Sequence, residues 1–140
     1  MSRTRRRVLF LCTHNSARSQ MAEALLRHLG GGAFEAASAG TEPSRVHPLA
    51  VEAMARRGID LAGHRSKHLD ELREERFEDV ITVCDSANQA CPVFPGETRR
   101  LHWSLPDPSA VEGAEESRRA AFEATAAELE RRIRSFVGRE

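Results

Sequence analysis

A chain of 140 residues is the size of one compact domain, since chains of about 100–150 residues bury enough surface for a single core. Its composition, 40% hydrophobic and 30% charged, excludes a disordered tail or a collagen-like rod and describes a folded soluble protein. The 21 basic and 21 acidic residues cancel, so no global field recruits nucleic acid or an anionic membrane, and any anion site has to be built locally.

The chain opens on Arg3, Arg5, Arg6 and Arg7, a short charge run that reads as a solvated flank. Val8-Leu9-Phe10-Leu11 follows as an unbroken apolar run, the pattern of a parallel strand buried on both faces. It is too short for a signal-peptide core or a membrane span, which places the protein in the cytoplasm. After the segment Cys12 to Ser19, Ala22, Leu25, Leu26 and Leu29 recur at helical spacing until Gly30-Gly31-Gly32 stops the helix. Phe34 to Ala39 reads as a second strand closed by Gly40, and a second helix begins near Pro48 with Gly58 as its cap. Ser66 is the expected cap of a short helix through Leu72. Val80 to Val83 is a β-branched third strand, and Leu101 to Leu105 a fourth. Pro106-Asp107-Pro108 then forces a fixed turn. Phe122, Ala126, Leu129, Ile133 and Phe136, spaced by four, three, four and three, mark one long core-facing helix. Strands alternating with helices predict a single-domain α/β fold: a four-stranded parallel sheet with helices on both faces. Ligands in such sheets bind beyond the carboxyl ends of the strands, which directs attention to the segment starting at Cys12.

That segment is Cys12-Thr13-His14-Asn15-Ser16-Ala17-Arg18-Ser19, a cysteine and an arginine separated by five residues between a buried strand and a helix. Five residues can curl so that successive N–H groups line a nest for a tetrahedral oxyanion at the positive end of the helix. Arg18 adds a planar fork matched to two oxygens of the anion. The same donors are expected to hold Cys12 as a thiolate, below the free thiol value of about 8.5, with Ser16 and Ser19 as hydrogen-bond donors to the sulfur. Thr13, His14, Asn15, Ser16, Ala17, Arg18 and Ser19 are thus the candidate substrate-binding residues.

This loop, with its flanking strand and helix, resembles the low-molecular-weight protein tyrosine phosphatases over most of the chain. In that family a downstream Asp-Pro turn carries a carboxylic acid to the nucleophile. The resemblance makes Asp107, followed by Pro108, the general acid that protonates the leaving oxygen.

The remaining cysteines, Cys84 and Cys91, are seven residues apart, which is not Cys-x-x-Cys spacing. On a helix their α-carbons would stand about 10 Å apart, beyond the roughly 7 Å a disulfide spans. They can pair only if the segment between them unwinds. Three cysteines at these positions resemble the thioredoxin-coupled arsenate reductases. The resemblance implies that Cys12 attacks arsenate, Cys84 attacks the adduct and releases arsenite, and Cys91 forms with Cys84 a disulfide that thioredoxin resets. No bound cofactor is implied.

Phosphatases of this fold place tyrosines after the Asp-Pro turn, whereas Ser109-Ala110 stands here and the chain has no Tyr. His102-Trp103 resembles the reductases, with Trp103 as a packing anchor. Some reductases hold potassium beside the loop; Asn15, Glu23 and Ser38 match that set, but Arg65 and Lys67 put cations where the other ligands would be, and no potassium site is expected. His64 and His68 are four apart yet lack a third ligand, so no metal is assigned. The expectation is therefore a cytoplasmic, monomeric arsenate reductase with arsenate and thioredoxin as partners and no nucleic acid or membrane. The alternatives are a phosphatase acting on phosphomonoesters through Cys12, and a non-catalytic oxyanion-binding or thiol-sensing module.

Overall fold

The computed structural model describes residues 5–61, 63–84, 94–96 and 98–139. Four strands, β1 (Arg6–Cys12), β2 (Phe34–Gly40), β3 (Asp79–Thr82) and β4 (Arg99–His102), form one all-parallel sheet in the order β2-β1-β3-β4. Among the described residues three helices accompany it: α1 (Arg18–Gly30), α2 (Pro48–Ala55) and α3 (Glu115–Arg139). The expected α/β fold with four parallel strands is the one observed.

β1 lies inside the sheet, and its Val8 to Leu11 run is buried completely because both faces are covered. α1 packs on β1 and β2, α3 packs along α1, and α2 sits against α3. α3 seats Phe122, Ala126, Leu129, Ile133 and Phe136 in the core, the face its spacing predicted. Trp103 packs on Phe10 and Phe136, with ring centroids 6.0 Å and 6.3 Å away, the anchor expected of it. Among the described residues no helix is long and apolar enough to cross a membrane.

Three expectations need correction. Arg6 and Arg7 are the first residues of β1 and are not a solvated flank: Arg6 Nε donates to the fully buried Asp79 at 2.6 Å, and Arg7 pairs with Glu75 and Glu35. Ser66 to Leu72 is not a capped helix. Only a 3-10 turn over Leu69–Leu72 forms, capped by His68, whose ring accepts from Asp70 N–H, while the Ser66 hydroxyl is committed to the His14 carbonyl at 2.7 Å. His64 and His68 accordingly share no helical face. The fourth strand runs earlier, Arg99–His102 in place of Leu101 to Leu105, because its partner β3 starts at Asp79 and the parallel register pairs Asp79 with Arg99.

The topology puts a crevice where it is needed. From β1 the chain crosses to β2 on one side, and from β2 it returns past β1 to β3 on the other. The carboxyl ends of β1 and β3 therefore flank the point where the winding reverses, the place where open α/β sheets bind ligands.

Candidate active site

Cys12 is the last residue of β1, paired in register with Gly40 at the end of β2, and Cys84 follows β3 by two residues. The two thiols stand side by side, both buried and unbridged, with a hydrogen bond between them. Cys91 lies outside the described residues.

The loop after Cys12 is held from outside by its carbonyls. Thr13 O accepts from Glu42 N at 2.8 Å; His14 O accepts from Ser44 N at 3.2 Å and from the Ser66 hydroxyl; Ser16 O accepts from His47 N at 3.0 Å. The two ends of a trans peptide point opposite ways, so the N–H groups of the following residues are turned away from these donors. That is the arrangement a nest needs. α1 begins at Arg18 with no side chain capping its first turn, which leaves its amino end open toward the same space. Gly40 is required here. A β-carbon at this position would stand 2.5 Å from Thr13 O and 2.9 Å from Asn15 N.

Asn15 carries the loop's one non-glycine positive φ, 50°, a region in which asparagine is better tolerated than most residues. It is fully buried, and its Nδ2 donates to Ser19 Oγ at 2.8 Å. Ser19 Oγ accepts this bond, and the backbone of Thr13 donates to the Cys12 sulfur. The Thr13 hydroxyl lies 3.2 Å from Cys84 Sγ.

Arg18 is 8% exposed and anchors one nitrogen on the Leu105 carbonyl at 2.8 Å; its other terminal nitrogen is 3.8 Å from Asp107 Oδ2. Asp107 caps the turn Pro108–Ala110, accepting from Ser109 N at 2.9 Å and from Ser109 Oγ at 2.7 Å. Cys12, His14, Ser16, Ala17, Arg18, Asp107 and Ser109 line one small cradle. Of the residues singled out in the sequence, Cys12 to Ser19, Cys84 and Asp107 are brought together.

Cys12 does not titrate as expected. Its thiol is pushed up, first by the hydrogen bond with Cys84 and then by burial, and these outweigh the downward pull of the Arg18 charge and the Thr13 N–H. Two adjacent buried sulfurs share one proton more readily than they carry two negative charges. Burial pushes Asp107 up as well, but the Ser109 hydroxyl and N–H and the charges of Arg18 and His14 prevail, so the carboxyl stands below its ordinary range.

Behind the loop, Glu23 is buried, accepting from Ser38 Oγ at 2.6 Å and pairing with Arg27 at 2.8 Å. Lys67 is half-buried beside this carboxylate; burial lowers its pKa while the Glu23 charge draws it back up. Among the described residues no group of three or more His, Cys, Asp or Glu is arranged to hold a metal ion. Sequence reasoning missed the Glu42 to His47 segment that holds the loop carbonyls, because backbone donors leave no residue-type signal. It also missed Gln20, whose amide lies under the loop; a polar residue on the core side of an amphipathic helix was the available clue.

The family model described as low molecular weight phosphotyrosine protein phosphatase matches residues 7–139. An arsenate reductase of Halalkalibacterium halodurans is 38% identical over 130 residues, covering 93% of this chain and 94% of that protein. One from Bacillus subtilis is 36% identical over the same shares. Among solved structures, an arsenate reductase in the oxidized state superposes with a TM-score of 0.82 at 28% identity, covering 96% of this chain and 98% of the other. A thioredoxin-dependent arsenate reductase of Corynebacterium glutamicum superposes with a TM-score of 0.68 at 32% identity, covering 96% and 65%.

Proposed function

Since this chain belongs to the low molecular weight phosphotyrosine protein phosphatase family, and its relatives of matching length include arsenate reductases, we propose that it reduces arsenate to arsenite. The observation that carries this reading is the pair of thiols. A phosphatase needs one sulfur in the cradle, whereas here Cys84 is hydrogen-bonded to Cys12 at the winding reversal of the sheet.

The loop amides and Arg18 bind the arsenate oxygens, and the Cys12 sulfur attacks arsenic, forming an S–As bond while a protonated oxygen leaves as water. Asp107 supplies the proton to that oxygen. A dianion in the loop places like charge beside Asp107 and favours its protonated form, so the substrate itself readies the acid. The proton the two sulfurs share stays on Cys84 as Cys12 attacks; Cys84 then loses it to solvent and attacks the Cys12 sulfur as a thiolate. The S–S bond forms, the S–As bond breaks with its electron pair going to arsenic, and As(V) leaves as As(III) in arsenite. Cys91 attacks Cys84, freeing Cys12, and the dithiol of thioredoxin reduces the Cys84–Cys91 disulfide. No resident cofactor takes part. Lys67 supplies beside Glu23 the positive charge that a bound potassium ion would provide, so activity is independent of potassium. The enzyme acts as a monomer in the cytoplasm.

The test is thioredoxin-dependent NADPH oxidation with arsenate on wild type, Cys84→Ser and Cys91→Ser, with p-nitrophenyl phosphate hydrolysis run in parallel. Turnover that needs all three cysteines, with hydrolysis surviving in Cys84→Ser, is the expected result. No arsenate turnover, together with unchanged hydrolysis in Cys84→Ser, makes the protein a phosphatase and removes the relay.

A further inference from the structure

Gln20 has no part in the chemistry above, yet it is the most fully committed side chain near the loop. It lies in the first turn of α1, 1% exposed. Its Nε2 faces three oxygens: Asn15 Oδ1 at 3.0 Å, Asn15 O at 3.2 Å and Arg65 O at 2.9 Å. Its Oε1 faces His64 Nδ1 at 3.1 Å. Only one orientation of the amide fits these four neighbours, its two N–H hydrogens being shared among three oxygens, because a flip would set the carbonyl oxygen against three acceptors. The Asn15 side chain also accepts from Lys67 N at 3.0 Å. Gln20 thus joins three pieces of chain: the turn of the loop that carries the positive φ, the first turn of α1, and the strap 64–67.

We propose that Gln20 is a positioning residue that holds Asn15 in its left-handed conformation and so keeps the loop ready for a tetrahedral oxyanion before one arrives. This rests on the reading of Cys12 to Arg18 as an oxyanion site. The Asn15 carbonyl has its acceptor capacity met by a side chain of α1, whereas the neighbouring carbonyls of Thr13, His14 and Ser16 are met by backbone donors of the Glu42 to His47 segment. Ser19 and the Lys67 N–H also hold the Asn15 side chain, but the Asn15 carbonyl itself depends on one removable group. Without it the left-handed residue competes with ordinary conformations, and the loop spends part of its time with its N–H groups misdirected. A ligand that binds only the competent fraction has its apparent Kd raised by the inverse of that fraction. Saturation restores the loop, so the chemical step is spared.

The experiment is calorimetric titration of inorganic phosphate into wild type, Gln20→Met and Gln20→Glu, together with arsenate turnover at saturating arsenate. Met keeps the volume and offers no amide. Its expected effect is a phosphate Kd raised roughly 10-fold, with binding stoichiometry near one and saturated turnover within about three-fold of wild type. Glu keeps the shape but, when ionised, cannot donate to the three oxygens. Its Kd relative to wild type at the same pH is expected to improve as pH falls and the carboxyl regains a proton. A merely structural role gives a different pattern: partial unfolding lowers the stoichiometry and leaves the Kd of the folded remainder unchanged. That pattern, or an unchanged Kd in a folded Gln20→Met, overturns the proposal. Failure of wild type to bind phosphate at all overturns the oxyanion reading itself.

Discussion

The two ends of the sheet handle charge in opposite ways. At the amino ends of β3 and β4 the buried Asp79 is met by Arg6 at 2.6 Å and by Arg99 at 2.7 Å. At the carboxyl ends Arg18 reaches Asp107 only at 3.8 Å and spends another nitrogen on a carbonyl. The first arrangement is closed, with both carboxylate oxygens occupied, and ties three strands together. The second leaves a fixed cation, an open helix terminus and a set of loop amides facing the same small cradle. Matched charges stabilise the fold; a charge held in place without a full partner is where an anion binds.

The largest expected effect is at the open end. Asp107→Asn removes the proposed proton donor while keeping the cap to Ser109, because the amide oxygen still accepts. Hydrolysis of p-nitrophenyl phosphate is expected to fall about 10²- to 10⁴-fold with little change in melting temperature. A fall of less than about three-fold would mean that Asp107 only caps its turn.

At the closed end the effect is on stability and not on rate. Asp79→Ala leaves Arg6 and Arg99 without their shared carboxylate, but both side chains are part-exposed and turn to water, so the cost is roughly 1–3 kcal/mol. Urea unfolding measures it, and saturated turnover of the folded variant stays near wild type. Loss of activity at full folding would show that the two ends are not separable.

The same division explains what could be read from the sequence. Buried β1, the seam of α3 and the Cys-x5-Arg loop were legible because apolar periodicity and a strand-loop-helix context are local. Arg6 and Arg7 were misassigned to solvent because their partners Asp79 and Glu75 are about 70 positions away in the chain, and a charge run carries no mark of distant carboxylates. The depressed Cys12 thiol expected from Arg18 and the helix end failed for a related reason: the group that prevails is Cys84, brought beside it only by the pairing of β1 with β3.

That failure yields the next prediction. Cys84→Ala removes the largest influence raising the Cys12 thiol, so its pKa falls and thiolate forms at lower pH. Iodoacetamide alkylation of Cys12, followed by mass spectrometry across pH, is expected to rise at lower pH in the variant than in wild type. Coincident profiles would mean that the two sulfurs do not share a proton.

The smallest effect tests whether the second thiol is held for its task. The Thr13 hydroxyl, 3.2 Å from Cys84 Sγ, can donate to a Cys84 thiolate and favour the charged form that attacks the Cys12 sulfur. Thr13→Val keeps the branched shape and the backbone of the loop but withdraws the donor, a loss of about 1 kcal/mol or a factor of roughly five. The expected outcome is asymmetric: arsenate turnover slows by that factor, while p-nitrophenyl phosphate hydrolysis, which uses no cysteine but Cys12, is unchanged. Equal slowing of both would assign Thr13 to the shape of the loop, and slowing of neither would mean that Cys84 reaches the adduct without help from its neighbour.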